Sequence, residues 1–185
     1  MGPTDDRGKL RSPENGDVAV TSTLNADLAA LLSERSVTRF VYREARLIDD
    51  RQLEDWLDLW TDDACYWVPA DETNGGLHRV QLVLDDRDRL GERVYRLTHA
   101  DAHSQEPYSR TTHLITGVEV GEPDNDQVEV HAALALVEVR RGVQEIYAGR
   151  IRYRLRVVDG ELKFAEKFVR LSRNDAVLGN LTFVI

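Results

Sequence analysis

The chain has 185 residues and 42% hydrophobic content, enough for one compact domain that buries about two thirds of its unfolded surface and too short for two. With 24 basic against 33 acidic side chains, a formal net charge of -9, it lacks the basic surplus that a sequence-independent grip on a phosphate backbone requires. Its single cysteine, Cys65, excludes an intrachain disulfide and any cluster or zinc site that draws two cysteines from one chain. No apolar run approaches the roughly 18 residues needed to cross a bilayer; the longest, Ala132 to Val137, suits a strand. Residues 1 to 17 carry no hydrophobic signal core. The expectation is a cytoplasmic protein with neither membrane nor nucleic acid as partner.

In chain order, residues 1–22 are polar and aperiodic and read as a flexible leader, with one domain over 23–185. Leu24, Leu28, Leu31 and Leu32, then Val37, Phe40, Val41 and Ile48, recur at helical spacing. They predict a long amphipathic helix, capped by Thr23 or Asn25 and interrupted near Ser36. A second helix, capped by Asp49 or Asp50, is predicted from Leu53, Trp56, Leu57 and Trp60 at i, i+3, i+4 and i+7. Ala64 to Pro69 reads as a short strand ended by proline, and Asp71 to Gly76 as a loop. Leu90, Val94 and Leu97 predict a short third helix between Asp85 and Leu97 despite Gly91. After Pro107 the period changes to two, predicting strands at Thr111–Val120, Gln127–Arg140, Gln144–Val158 and Leu162–Ser172. Helices followed by a strand meander give an α+β architecture, with helices packed on one face of a strongly curved sheet.

The chain has no G-x-G-x-x-G, no P-loop and no G-x-S-x-G elbow. Cys65, between Ala64 and Tyr66 in a predicted strand, reads as a packed thiol rather than a nucleophile. His99, Asp101 and His103 (HADAH) alternate, so in an extended segment two imidazoles and a carboxylate would face one side, as in an iron triad; a solvated turn is the competing reading. A curved sheet under helices can also enclose a pocket where Tyr42, Asp49, His113, His131 or Tyr153 acts as acid or base. Each has a structural alternative: packing for the tyrosines, helix capping for Asp49 and strand positions for the histidines.

A further pattern concerns surfaces. Arg150, Arg152, Arg154 and Arg156 alternate with Ile151, Tyr153, Leu155 and Val157, which places four guanidinium groups in a row on one sheet face. Four like charges need partners, either strand acids such as Glu129 and Glu138 or an acidic surface on another subunit. The chain ends GNLTFVI, an apolar tail that must dock in a core or an interface.

Three blocks then resemble one family. YREARLIDDRQLEDWLDLWTDDACYWVP (Tyr42 to Pro69) is similar to the Y-R-E-A-x-L-x-D pattern, ending in W-L-x-L and Y-x-x-P, of the small (β) subunit of aromatic-ring-hydroxylating (Rieske non-heme iron) dioxygenases. Arg93 to Val120 resembles its R-V-x-R-L followed by P-x-S-R-x-x-H, and the tail its apolar C-terminal strand. Two departures are His103, where many members have Trp, and Gly117–Val118, where many have Asn-Val. The resemblance implies a cone-shaped α+β fold of the nuclear-transport-factor-2 (NTF2-like, SnoaL-like, cystatin-like) type, related to scytalone dehydratase and ketosteroid isomerase without their catalytic constellation. It further implies a non-catalytic, structural β subunit, with no catalytic, cofactor-binding or metal residues, that pairs with a catalytic α subunit in an α3β3 hexamer with β–β contacts. The α chain would carry the Rieske 2Fe-2S cluster and mononuclear Fe(II), fed from NADH through a reductase. Tyr108, Arg110, His113, Arg150, Arg152, Arg154, Arg156, Phe183 and Ile185 are the expected interface residues. The rival reading is a free-standing dehydratase or isomerase with a His/Asp/Tyr cavity, and a third is a ligand-binding module without turnover.

Overall fold

The computed structural model describes residues 26–70, 81–99, 107–173 and 183–185. A helical turn over 26–31 leads to α1 (Glu34–Asp49), α2 (Leu53–Leu57), β1 (Trp60–Pro69), β2 (Gln81–Asp86), α3 (Arg87–Thr98), β3 (Arg110–Val120), β4 (Gln127–Arg140), β5 (Val143–Val158) and β6 (Glu161–Leu171). The strands form one six-stranded sheet in the order β2-β1-β6-β5-β4-β3. Every pairing is antiparallel except β1 with β6, which is parallel because the chain returns to the middle of the sheet after the meander. The sheet curls without closing.

The break expected near Ser36 lies at Ser33, whose side chain accepts a bond from the Ser36 amide at 3.4 Å and caps α1. Val37, Phe40, Val41, Ala45, Leu47 and Ile48 form its buried stripe. The helix ends in a Schellman turn: Gln52 N–H donates to Leu47 O at 2.8 Å and Arg51 N–H to Ile48 O at 3.0 Å. Arg51 holds the left-handed position usually given to glycine, with φ 58. Its guanidinium donates to Leu97 O at 2.7 Å and lies 4.5 Å above the Tyr108 ring, contacts that offset the backbone strain.

The second helix is shorter than its apolar spacing suggests, and Trp60 belongs to β1. Neither Asp49 nor Asp50 caps it; the capping position is Gln52, whose side chain makes no capping bond. The cause is tertiary: Leu59 O is taken by the Phe164 amide at 2.7 Å, so the chain leaves the helix and enters the sheet at Trp60. β1 therefore starts four residues before Ala64. β2 was not legible, since its inward positions hold only Val83 and Asp85. α3 starts where expected, with Asp86 accepting from the Arg89 amide at 2.9 Å.

The four later strands lie within two residues of their predicted bounds. Arg141–Gly142 and Asp159–Gly160 both have positive φ at each residue, the type I′ geometry of two-residue hairpins. Gly117, at φ 59, makes the bulge between Thr116 and Glu119, a backbone that glycine and asparagine share. Gly149 is needed for close approach: a Cβ there would lie 2.4 Å from Arg170 O.

Candidate functional site: a filled interior and an open sheet face

The inner face of the sheet and the helices enclose a single apolar core. Its centre holds an ion pair, Lys167 Nζ to Glu44 Oε1 at 2.8 Å, with both residues 1% exposed. Trp56 Nε1 donates to the same carboxylate oxygen at 3.2 Å, and Lys167 Nζ sits 5.7 Å from the centres of the Tyr66 and Tyr153 rings. Burial pushes both phenols far up, so they stay neutral. Trp56, Trp60 and Tyr66 meet edge to face or tilted at 5.5 to 6.4 Å. The C-terminal residues close the space: Tyr66 Oη donates to Ile185 O at 2.9 Å, and Phe183 lies 5.3 Å from Tyr147. Phe183, Val184 and Ile185 are all buried. Of the two places open to the apolar tail, the structure puts it in the chain's own core.

Five residues were candidates for acid–base work in such an interior, and hydrogen bonding joins two of them. His113 Nδ1 lies 2.6 Å from Asp49 Oδ1, and Asp49 Oδ2 accepts the His113 amide at 2.8 Å. Thr111 Oγ1 donates to Asp49 Oδ1 at 2.9 Å. Burial raises the Asp49 carboxyl, but the His113 side chain, its backbone N–H and charge, and the Thr111 hydroxyl outweigh it and hold the group below its usual range. All these donors come from β3, so the carboxylate latches the end of α1 to that strand. Tyr42 is exposed on α1, and His131 is exposed and bonds Glu129 at 2.9 Å. Tyr153 Oη, buried near the Glu44 carboxylate, makes no hydrogen bond of good geometry among the described residues.

Cys65 is half-buried, and burial, with Glu166 beside it, pushes its thiol up despite Arg154, which fits a packed rather than a reactive thiol. His99 stacks on Tyr95 with ring centres 3.7 Å apart, its Nδ1 3.1 Å from Tyr95 O. Asp101 and His103 lie outside the described residues. Among the described residues no three His, Cys, Asp or Glu side chains gather as metal ligands.

The outer face is read from the strand register. Thr112, Val137 and Ile146 form one row; Leu114, Ala135 and Ala148 the next; Thr116, Ala133, Arg150 and Arg170 the third. His131, Arg152, Phe168 and Trp67 follow, then Glu129, Arg154, Glu166 and Cys65. The four arginines thus share a face as expected, but their partners differ from Glu129 and Glu138. Arg152 and Arg154 share Glu166, at 2.7 and 3.2 Å, and Arg156 takes Asp63 at 2.9 Å. Glu129 is held by His131, and Glu138 points inward, accepting from Ser109 Oγ at 2.5 Å and Tyr147 Oη at 3.3 Å. The parity of β4 explains this, because even-numbered residues face the core.

Of the other expected interface residues, Tyr108 and Arg110 are exposed, whereas the His113 ring faces inward with its side chain 2% exposed. The register also brings Arg170, Leu114 and Ile146 to the outer face, beyond the arginine row legible in the sequence. Arg170 faces Arg150 only through the β5–β6 register. Leu114 and Ile146, 54% and 64% exposed, are apolar residues on the solvent parity of their strands, a signal that strand alternation carries.

Comparison with known proteins places this architecture. Residues 43–176 match the family model described as "Ring hydroxylating beta subunit". The small oxygenase component of the p-cumate 2,3-dioxygenase system of Pseudomonas putida is 35% identical over 144 residues, 76% of this chain and 80% of that protein. The crystal structure of the beta subunit of benzoate 1,2-dioxygenase from Burkholderia mallei superposes with TM-score 0.68 and 27% identity, covering 82% of this chain and 97% of that one. An NTF2-like protein with a cystatin-like fold from Novosphingobium aromaticivorans, 13% identical with TM-score 0.55, covers 93% of this chain and 98% of its own, and shares the fold alone. With the family model spanning most of the chain and a relative 35% identical across three quarters of it, the chain belongs to the ring-hydroxylating beta subunits, the small subunits of aromatic-ring dioxygenases.

Proposed function

We propose that this chain is the structural small subunit of a multicomponent dioxygenase that dihydroxylates an aromatic compound, and that its work is to hold and stabilise the catalytic large subunit. The observation that carries the reading is the filled interior. Where the rival dehydratase or isomerase reading needs a substrate cavity, the space between helices and sheet is occupied by Trp56, Tyr66, Tyr153, the Glu44–Lys167 pair and the Phe183–Ile185 segment. The Asp49–His113 pair that such an enzyme would use is spent on joining α1 to β3.

A Rieske cluster does not fit this chain. It needs two cysteines and two histidines, and the lone thiol is half-buried beside a carboxylate. We assign the 2Fe-2S cluster and the mononuclear Fe(II) to the large subunit, with NADH feeding electrons through a reductase. An α3β3 hexamer with contacts between small subunits is the assembly we assign to it. Co-expression with a large subunit of the same dioxygenase family tests the reading. The two chains should co-purify, and ring dihydroxylation should require both together with the reductase. Turnover by the small chain alone, lost in Asp49→Asn, would overturn it in favour of the free-standing enzyme.

A further inference from the structure

A sheet needs a second layer only where it is apolar, and an antiparallel sheet that faces water on one side normally shows polar residues there. The outer face over β3, β4 and β5 departs from that rule. Leu114 and Ile146 stand 54% and 64% exposed on either side of Ala135 and Val137, with Ala133 and Ala148 alongside. The alanines make a low floor from which the two larger side chains project. Among the described residues, no element covers this floor.

Directly beside it, Arg150 and Arg170 are cross-strand partners. Like charges placed opposite one another repel. Among the described residues neither guanidinium has an ion-pair or hydrogen-bond partner. The next acids cannot serve them: Glu166 is shared by Arg152 and Arg154, and Glu129 holds His131. A chain of net charge -9 thus concentrates positive charge, unpaired among the described residues, next to an exposed apolar patch. Arginine beside an apolar centre is the composition of a protein interface, and two adjacent guanidinium forks fit carboxylates.

We propose that this outer sheet face is the docking surface for the large subunit, which sets an apolar patch on Leu114 and Ile146 and brings one or two carboxylates to Arg150 and Arg170. This rests on the small-subunit reading and names the surface that performs it. A second copy of this chain is a poorer occupant. Meeting through the same face, it would bring arginines toward arginines, with Glu129 and Glu166 already engaged.

The test is retention of the full small chain on a tagged, co-expressed large subunit. Wild type should be retained in equal stoichiometry. Arg150→Glu with Arg170→Glu, and separately Leu114→Asp with Ile146→Asp, should each reduce retention at least tenfold while the melting curve of the free small chain stays put. The control is Arg39→Glu with Arg43→Glu, exposed cations lining a cleft of about 710 Å³ between α1 and the β5–β6 turn; it should be retained like wild type. Full retention of the Arg150/Arg170 variant overturns the inference, as does loss confined to the Arg39/Arg43 variant, which moves docking to the cleft. A homodimer of the free chain that dissociates in the Arg150/Arg170 variant while the complex survives assigns the face to a second copy and also overturns it. Failure of wild type to be retained strikes the small-subunit reading itself, and this inference falls with it; retention of every variant strikes only the inference.

Discussion

Inside the sheet, charges meet partners: Lys167 holds Glu44, Arg93 holds Asp85, and Asp49 receives three donors from β3. Outside, a few residues away along the same strands, Arg150 faces Arg170 and one carboxylate serves two guanidinium groups. Tyr153 and Arg152 are neighbours in sequence, yet one lies in the closed core and the other on the open face. The contrast is one of solvent access: partners are required inside and optional outside. A buried charge without a partner costs several kcal/mol and is not tolerated. An exposed one costs little, so Arg150 and Arg170 can face each other on the outer sheet without a counter-charge among the described residues.

The comparison breaks most sharply at its most buried point. Lys167→Met leaves the Glu44 carboxylate beside Trp56 with no counter-charge, and should lower stability by about 3–5 kcal/mol in urea unfolding of the free chain. Glu44→Leu added to it should recover most of the loss; a cost below about 1 kcal/mol for the single variant would mean the pair is not sealed from water. Phe183→Ala should cost about 3 kcal/mol, measured the same way, because its ring is 7% exposed against Tyr147. An unchanged midpoint would place the C-terminal segment outside the core.

Asp49 sharpens the comparison through pH. Its carboxyl is held below the ordinary aspartate value of 3.8, so the folded chain gives up that proton more readily than the unfolded chain does. The stability it adds is complete above 3.8 and is lost as pH falls through the lower folded value. Asp49→Asn should cost about 1–2 kcal/mol near neutral pH, as expected for charged hydrogen bonds, and flatten the acid limb of a stability-against-pH curve. An unaltered acid limb would remove the latch between α1 and β3. The smallest effect belongs to the outer face: Leu114→Ser with Ile146→Ser should move the stability of the free chain by no more than about 0.5 kcal/mol. A large loss there would mean the patch is already covered within the chain.

Strand alternation after Pro107 made β3 to β6 legible to within two residues, because each strand buries one parity and the Arg141–Gly142 and Asp159–Gly160 turns match the twist of a hairpin. β2 escaped because its inward set is one valine and one aspartate, and Asp85 is acceptable there only with Arg93 beside it. Trp60 continued a helical spacing by residue type, and only the Phe164 amide, over a hundred positions later, shows why the helix stops. The arginine row was visible, but its partners were not, since Glu166 reaches it through the β5–β6 register and Glu138 faces the other way.

By itself, then, the sequence determined the α+β class, the order of helices and meander, the family through its motifs and, through one cysteine, that no Rieske centre can be housed here. The class and element order depend on periodicity, the cysteine argument on composition and the family on short motifs, all of them local or additive. The tertiary structure decided which charges are paired in the core and which stand on the open sheet face. That depends on strand register and on the parallel return of β6 beside β1, pairings between residues far apart in sequence that no local pattern encodes.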